Sequence, residues 1–261
     1  MYQFILSLRS EFYKSRKTLA FWSAAVLPVV ICGIIAAGYF ANSVGLANVP
    51  GEAQWVRFIG SIMGVMGTLL LPIFVVFVAY SVNNIEHRAD MWKSLFALPL
   101  NRWSIYASKY LFAVTLITIC LTLFCTLLLA CGSILGSLKP ELKFQEFDAA
   151  PIVVDLHLKL FLSALGILSI QFLFSLLWSD FLKPMGIGLM GSIMGLIAAN
   201  SGWEYAYAIP YAHPALGIMG TRTKGSIPEV TFLTNETYVS VMVAAATFLL
   251  GYYIVSRKSI R

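Results

Sequence analysis

The chain has 261 residues, of which 59% are hydrophobic and 11% charged, with a mean hydropathy of +0.81 and a net charge of +6. Soluble domains carry about 25% charged residues, so this composition excludes a soluble enzyme or binding domain and points to a membrane protein. The basic residues cluster on no soluble segment able to present them, which argues against a nucleic-acid partner and leaves membrane topology as the reason for the excess.

Residues 2–17, YQFILSLRSEFYKSRK, come first. Ile5, Leu8 and Phe12 fall at helical spacing, with Arg9, Lys14, Arg16 and Lys17 on the polar side. This pattern predicts an amphipathic helix over residues 1–18 that lies in the membrane interface and is held by anionic lipid. An ordinary basic flank of a first span is the plainer alternative. Residues 19–261 form the membrane domain.

A spanning helix needs about 20 mostly apolar residues. Six stretches qualify, at about 19–41, 58–82, 106–135, 158–178, 184–200 and 238–256. The predicted fold class is therefore an all-α polytopic membrane protein with six transmembrane helices. Pro28 and Pro72 lie inside the first two spans, where each removes a helix donor and predicts a kink. His157 and Lys159 fall at the start of the fourth predicted span, where snorkelling to the interface is cheap. No span shows a carboxylate or histidine at mid-depth of the kind an ion-coupled carrier uses.

Between spans two and three, residues 83–105 form a loop of unusual length and charge. On a helix beginning near Asn84, residues Ile85, Ala89, Trp92 and Phe96 share one face, and Glu86, Asp90 and Lys93 form a second, charged stripe. Pro99 stops that helix at about Leu98. Asn101 and Arg102 then turn the chain, and Trp103 and Tyr106 mark its return to the bilayer. A short helix with one apolar and one charged face suits docking into a partner's groove. Lying on lipid is the alternative.

With six spans, both termini share a side with this loop. That side carries 12 of the 18 Lys and Arg residues, and the opposite side carries eight of the 12 acidic ones. The positive-inside rule places both termini and residues 83–105 in the cytoplasm. On the other side, WEYAYAIPYAHPALGIM, residues 203–219, is aromatic, broken by proline and too short to span. Trp203, Tyr205, Pro210, Tyr211 and Pro214 give it the character of an element that dips into the outer leaflet and returns. His213 in it has no second ligand-type neighbour and reads as a polar tip. GSIMG occurs twice, placing Gly60 and Gly64 in one span and Gly191 and Gly195 in another, each a GxxxG spacing for close helix packing. The four cysteines, Cys32, Cys120, Cys125 and Cys131, form no CxxC pair and read as small buried hydrophobes.

The N-terminal helix, the six spans and the loop EHRADMWKSLFALPLNRWSIYASK, residues 86–109, resemble the permease subunits of ABC-type exporters. The resemblance is to the superfamily of lantibiotic-immunity and polysaccharide-export permeases, with a type V exporter fold. It implies a cytoplasmic coupling helix that inserts into a nucleotide-binding ATPase subunit. The ATPase-coupling residues carried over are Glu86, Arg88, Asp90, Trp92, Lys93, Leu95, Phe96, Pro99 and Arg102. It also implies a second permease copy or a similar permease as partner, a bacterial inner membrane location, and export of an amphipathic peptide or lipid-like compound. No Gly-Lys dipeptide occurs in the chain, so it lacks the GxxxxGK[ST] loop that cradles nucleotide phosphates. ATP and Mg are accordingly expected on the partner, with no catalytic residue, cofactor or metal on this chain. A secondary transporter or channel, and more remotely an intramembrane enzyme, are the competing readings.

Overall fold

The computed structural model describes residues 2–47, 49–89, 91–97, 99–219 and 230–257, without the side chains of Lys93, Phe96 and Ala97. No strand occurs among them. In hydrocarbon each backbone N–H and C=O must be satisfied within the protein, and a helix does so within its own segment. Among the described residues six helices are long and apolar enough to cross a membrane, in agreement with the six predicted spans.

The order is α1 (Tyr2–Ser15), α2 (Leu19–Ala41), α3 (Ser43–Leu46), α4 (Gly51–Val65), a π turn (Met66–Leu70), α5 (Leu71–Arg88), α6 (Trp92–Ala97) and α7 (Arg102–Leu138). After two 3-10 turns follow α8 (Ala150–Leu177) and α9 (Leu182–Asn200). Two further 3-10 turns, Glu204–Ala208 and Pro210–Ala212, lead to α10 (His213–Met219) and then α11 (Asn235–Arg257). Of the spans, α8 is the most buried, and α2 and α11 are the least.

Span two runs from Gly51 to Arg88 and exceeds its predicted limits at both ends. At the far end, Trp55 donates to Phe144 O at 2.8 Å and stacks edge-on with Phe58 and Phe144, so an amphipathic turn is held as helix by the loop after α7. Gly51 is required there, because a Cβ would lie 2.4 Å from Lys143 O. The π turn ends two residues before Pro72. A π turn shifts the hydrogen-bond register, which accommodates the donor that proline lacks.

α8 begins eight residues before the predicted limit. His157 and Lys159 therefore do not sit at a helix start and do not snorkel. Both are buried, and Lys159 pairs with Glu236 at the start of α11 across 3.4 Å. Gly191 and Gly195 face the 3-10 turn Pro210–Ala212 and not another span: their Cβ positions would meet Tyr211 at 2.9 and 2.4 Å. Among the described residues Gly60 and Gly64 meet nothing within 4 Å, so there the second copy of the pentapeptide packs and the first does not.

Candidate functional site

The predicted amphipathic helix from Asn84 to Leu98 is two pieces. Residues 84–88 continue α5, and the chain breaks at Ala89 before α6 begins at Trp92. The reason is that the end of α5 finds buried partners. Asn83 donates to Ser175 Oγ at 2.8 Å and to Phe172 O at 3.3 Å, and Ser175 Oγ donates to Ala79 O at 2.9 Å. These bonds hold α5 on α8 for one more turn than hydropathy predicts.

Glu86 is part of the same anchor. It is 3% exposed and does not belong to an outward charged stripe. Its carboxylate accepts from Lys109 of α7 at 2.5 Å and from Lys14 of α1 at 2.7 Å. Both ammonium groups also bind Glu11 of α1, Lys109 at 3.0 Å and Lys14 at 2.5 Å. Two carboxylates and two ammonium groups thus close a neutral ring that joins α1, α5 and α7. Lys109, 1% exposed, spends its third proton on Val82 O at 3.3 Å, so all three of its donors are satisfied. Burial pulls the Lys14 ammonium down, but Glu11 and Glu86 outweigh it and raise its pKa above the ordinary value.

α6 is keyed onto this ring through one side chain. The Trp92 ring lies 5.6 Å from Lys109 Nζ, a cation–π distance. Trp92 Nε1 donates to His87 Nδ1 at 3.1 Å. An indole only donates, so Nδ1 is the acceptor. His87 is therefore the Nε2–H tautomer and donates to Ser175 O at 3.0 Å. Behind α6 the chain is clamped again. Gln3 donates to Pro99 O at 3.3 Å and accepts from Asn101 N at 3.4 Å. Arg102 donates to Ser256 O at 2.7 Å and Val255 O at 3.3 Å, at the end of α11. A cavity of about 200 Å³ lies between α1, α6 and the start of α7, lined by Ser7, Glu11, Leu95 and Ser108 among others.

Of the predicted coupling residues, Glu86, Trp92 and Arg102 turn inward to anchor the segment, and Leu95 lines the cavity. Arg88 and Pro99 are exposed, as are Met91 and Ser94 beside them. Asp90 and the side chains of Lys93 and Phe96 lie outside the described residues. Sequence reasoning missed Glu11, Lys14, Lys109 and His87 as one assembly. A signal existed: Glu11 is the only acidic residue before Glu52, set in a basic helix.

At the opposite end, the element at 203–219 folds as two 3-10 turns and α10. Tyr211 OH pairs with the Gln171 amide at 2.5 Å, and with the amide set to satisfy its surroundings Gln171 also bonds Pro184 O and Gly188 N. His213 is buried, with Nε2 2.7 Å from Tyr207 O. Pro214 is buried, Pro210 half-buried, and Trp203 and Tyr205 are exposed.

Six spans, with α1, α6 and the tail of α11 gathered at one end around a buried charge ring, have the build of a transport permease. The family comparison agrees. The model of the ABC-2 family transporter proteins matches residues 7–195, and the chain belongs to that family. The matched stretch holds the whole ring, α6 and the first four spans. No curated protein and no solved structure matches the chain.

Proposed function

We propose that this ABC transporter permease is the membrane subunit of an exporter, driven by a separate nucleotide-binding ATPase that grips residues 88–99. The observation that carries this reading is the way α6 is fastened. Ser94 on it, and Arg88, Met91 and Pro99 in the chain on either side, are exposed and able to touch a partner. The inner side of α6 is bound through Trp92 to α5, α7 and, by way of His87, α8. A push on a loose loop would be dissipated in the loop. A push on α6 is delivered to three spans and to α1 at once, through groups that have discrete arrangements. Glu86, Lys109, Glu11 and Lys14 transmit force in this account and catalyse nothing.

The bias of Lys and Arg supports a cytoplasmic position for α6 and both ends of the chain, in the plasma membrane of a bacterium. The exposed apolar faces of α2 and α9, including Met190, Met194 and Ile197, support a second permease copy as partner. The near absence of unpaired charge in the spans supports an amphipathic peptide or lipid-like cargo. ATP and Mg belong to the partner chain.

The test replaces residues 91–97 by a Gly/Ser linker in the native operon context. The expected result is a permease that still reaches the membrane but no longer co-purifies with its ATPase or supports ATP-dependent export. Retained co-purification and export would refute the reading.

A further inference from the structure

α1 ends at Ser15 and the first span begins at Leu19, so only three residues separate them. Thr18 caps the span, its Oγ1 accepting from Phe21 N at 3.4 Å. α1 is thereby held at the level of the headgroups of one leaflet. Its inner side is fixed: Ser7, Glu11 and Ser15 are buried at i, i+4 and i+8, and Leu8 packs against the core. The opposite side is exposed, with Tyr2, Ile5, Arg9, Phe12, Tyr13 and Arg16. Arginine and apolar residues thus share one face, where the helical spacing predicts them on opposite ones.

The cations on this face converge. Arg9 Nη2 donates to Tyr13 OH at 3.4 Å, and the Arg9 guanidinium carbon lies 5.6 Å from the centre of the Tyr13 ring. The Arg16 guanidinium carbon lies 5.5 Å from the centre of the same ring. The Arg9 hydrogen bond first, then the Arg9 and Arg16 charges, pull the Tyr13 phenol below its ordinary pKa. Glu11, the one carboxylate on α1, is taken up by the charge ring. Among the described residues neither Arg9 nor Arg16 has an acidic partner. Two guanidinium groups around one phenol, with no acid between them, favour an anion there, and their planar forks match phosphate oxygens. Tyr13 accepts from Arg9 and so keeps its own proton to donate.

An apolar track leads from these cations along the span. Phe12 meets Phe21 edge-on at 5.7 Å, and Phe21 meets Trp22 edge-on at 6.1 Å. Leu19, Trp22 and Val26 are exposed on one side of the first two turns of α2, one of the two least buried spans. The surface is therefore cationic at headgroup level and apolar beyond it.

We infer that Arg9, Tyr13 and Arg16 bind the phosphodiester of an anionic phospholipid whose acyl chains run along Leu19, Trp22 and Val26. A soluble polyanion offers nothing to the apolar track, and an acidic face of an ATPase does not reach along a span. A second copy seated here across a two-fold axis would bring four guanidinium groups together. The outer half of α2 and the face of α9 stay open to that copy.

The test reconstitutes the full-length chain in nanodiscs of phosphatidylcholine mixed with phosphatidylglycerol. One lipid or the other carries a diazirine near the head end of an acyl chain. Phosphatidylcholine has the same phosphate beneath a fixed cation, which the guanidinium groups repel. Each cation at an anionic headgroup is worth roughly a fivefold preference at low salt. The glycerol lipid is expected to label residues 12–26 roughly ten- to thirtyfold more than the choline lipid. Arg9→Gln and Arg16→Gln each lower that ratio about fivefold, and the two together bring it near one. All of these side chains are exposed, so the variants keep the fold. Lys17→Gln removes the same charge beside Arg16 but no ring contact among the described residues, and it is expected to lower the ratio less than either arginine variant. Residues 241–250 of α11, which carry no charge, show a ratio near one. A ratio near one at residues 12–26 in the wild type, or a loss in Lys17→Gln as large as in Arg9→Gln, would overturn the inference. So would displacement of the label by soluble glycerophosphoglycerol, or cross-links that seat a second copy over Trp22.

Discussion

Removing the Lys109 ammonium is the most searching perturbation of the charge ring. Glu11 Oε2 and Glu86 Oε2 lie 3.0 and 2.5 Å from the same Nζ, so they are at most 5.5 Å apart. Two negative charges at that distance repel by about 3 kcal/mol at an effective dielectric of about 20. Lys14 remains, but its side chain is 31% exposed and it already serves both carboxylates. Breaking a buried ion pair by deleting one partner costs about 3–5 kcal/mol, which agrees with the Coulomb figure. Lys109→Met is therefore expected to destabilise the permease by about 3–5 kcal/mol, read as a shift in unfolding across a mixed-micelle denaturant series. Lys109→Met combined with Glu86→Gln leaves a single Glu11–Lys14 pair, and it is expected to recover more than half of the loss. A loss below about 1 kcal/mol, the scale of a solvent-screened surface pair, would refute the reasoning. So would a double variant less stable than Lys109→Met alone.

Three further outcomes follow from the geometry. Trp92→Phe keeps a ring over Lys109 but loses the donor to His87, so transport per ATP hydrolysed is expected to fall several-fold while the ATPase still co-purifies; unchanged coupling would show that the His87 bond carries no force. Gly195→Ala places a methyl group 2.4 Å from the Tyr211 carbonyl carbon and is expected to cost about 1–3 kcal/mol in the same unfolding series, whereas Gly60→Ala and Gly64→Ala, with nothing within 4 Å, stay within about 0.5 kcal/mol of wild type. The raised pKa of Lys14 fixes a sign for pH: its contribution is complete below its ordinary value of 10.5 and is lost as pH rises through the higher folded value. The stability difference between wild type and Lys14→Gln is thus expected to be flat from pH 7 to about 10 and to shrink above it. A difference that shrinks on acidification toward pH 7 would contradict the assignment.

The spans were legible because hydrocarbon imposes a length and a composition that hydropathy reads directly. Their ends were not, since polar residues continue a helix wherever a neighbour satisfies them. Asn83 and Glu86 prolong α5 because α8, α7 and α1 supply partners, and those partners are 23 to 92 residues away in sequence. Glu86 looked like one member of a surface stripe at helical spacing. Its true face is set by Lys109 and Lys14, which no local pattern shows. The proline-rich outer element was legible as non-spanning from its aromatic and proline content. That it packs on Gly191 and Gly195 was legible only as a demand for some close neighbour. Lys159 was misplaced because α8 starts at Ala150, in a stretch where Pro151, Asp155 and His157 interrupt the apolar run.

The central claim is that α6 is where the ATPase takes hold. Single-cysteine variants Arg88→Cys, Met91→Cys and Ser94→Cys, in a chain freed of its four native cysteines, test it by short-range cross-linking to the co-expressed ATPase. The account predicts cross-links from all three positions, stronger or weaker with nucleotide state, and none from a control at exposed Leu138 at the other end of α7. Cross-links that favour the Leu138 control, or none from α6 in a complex that transports, would contradict it.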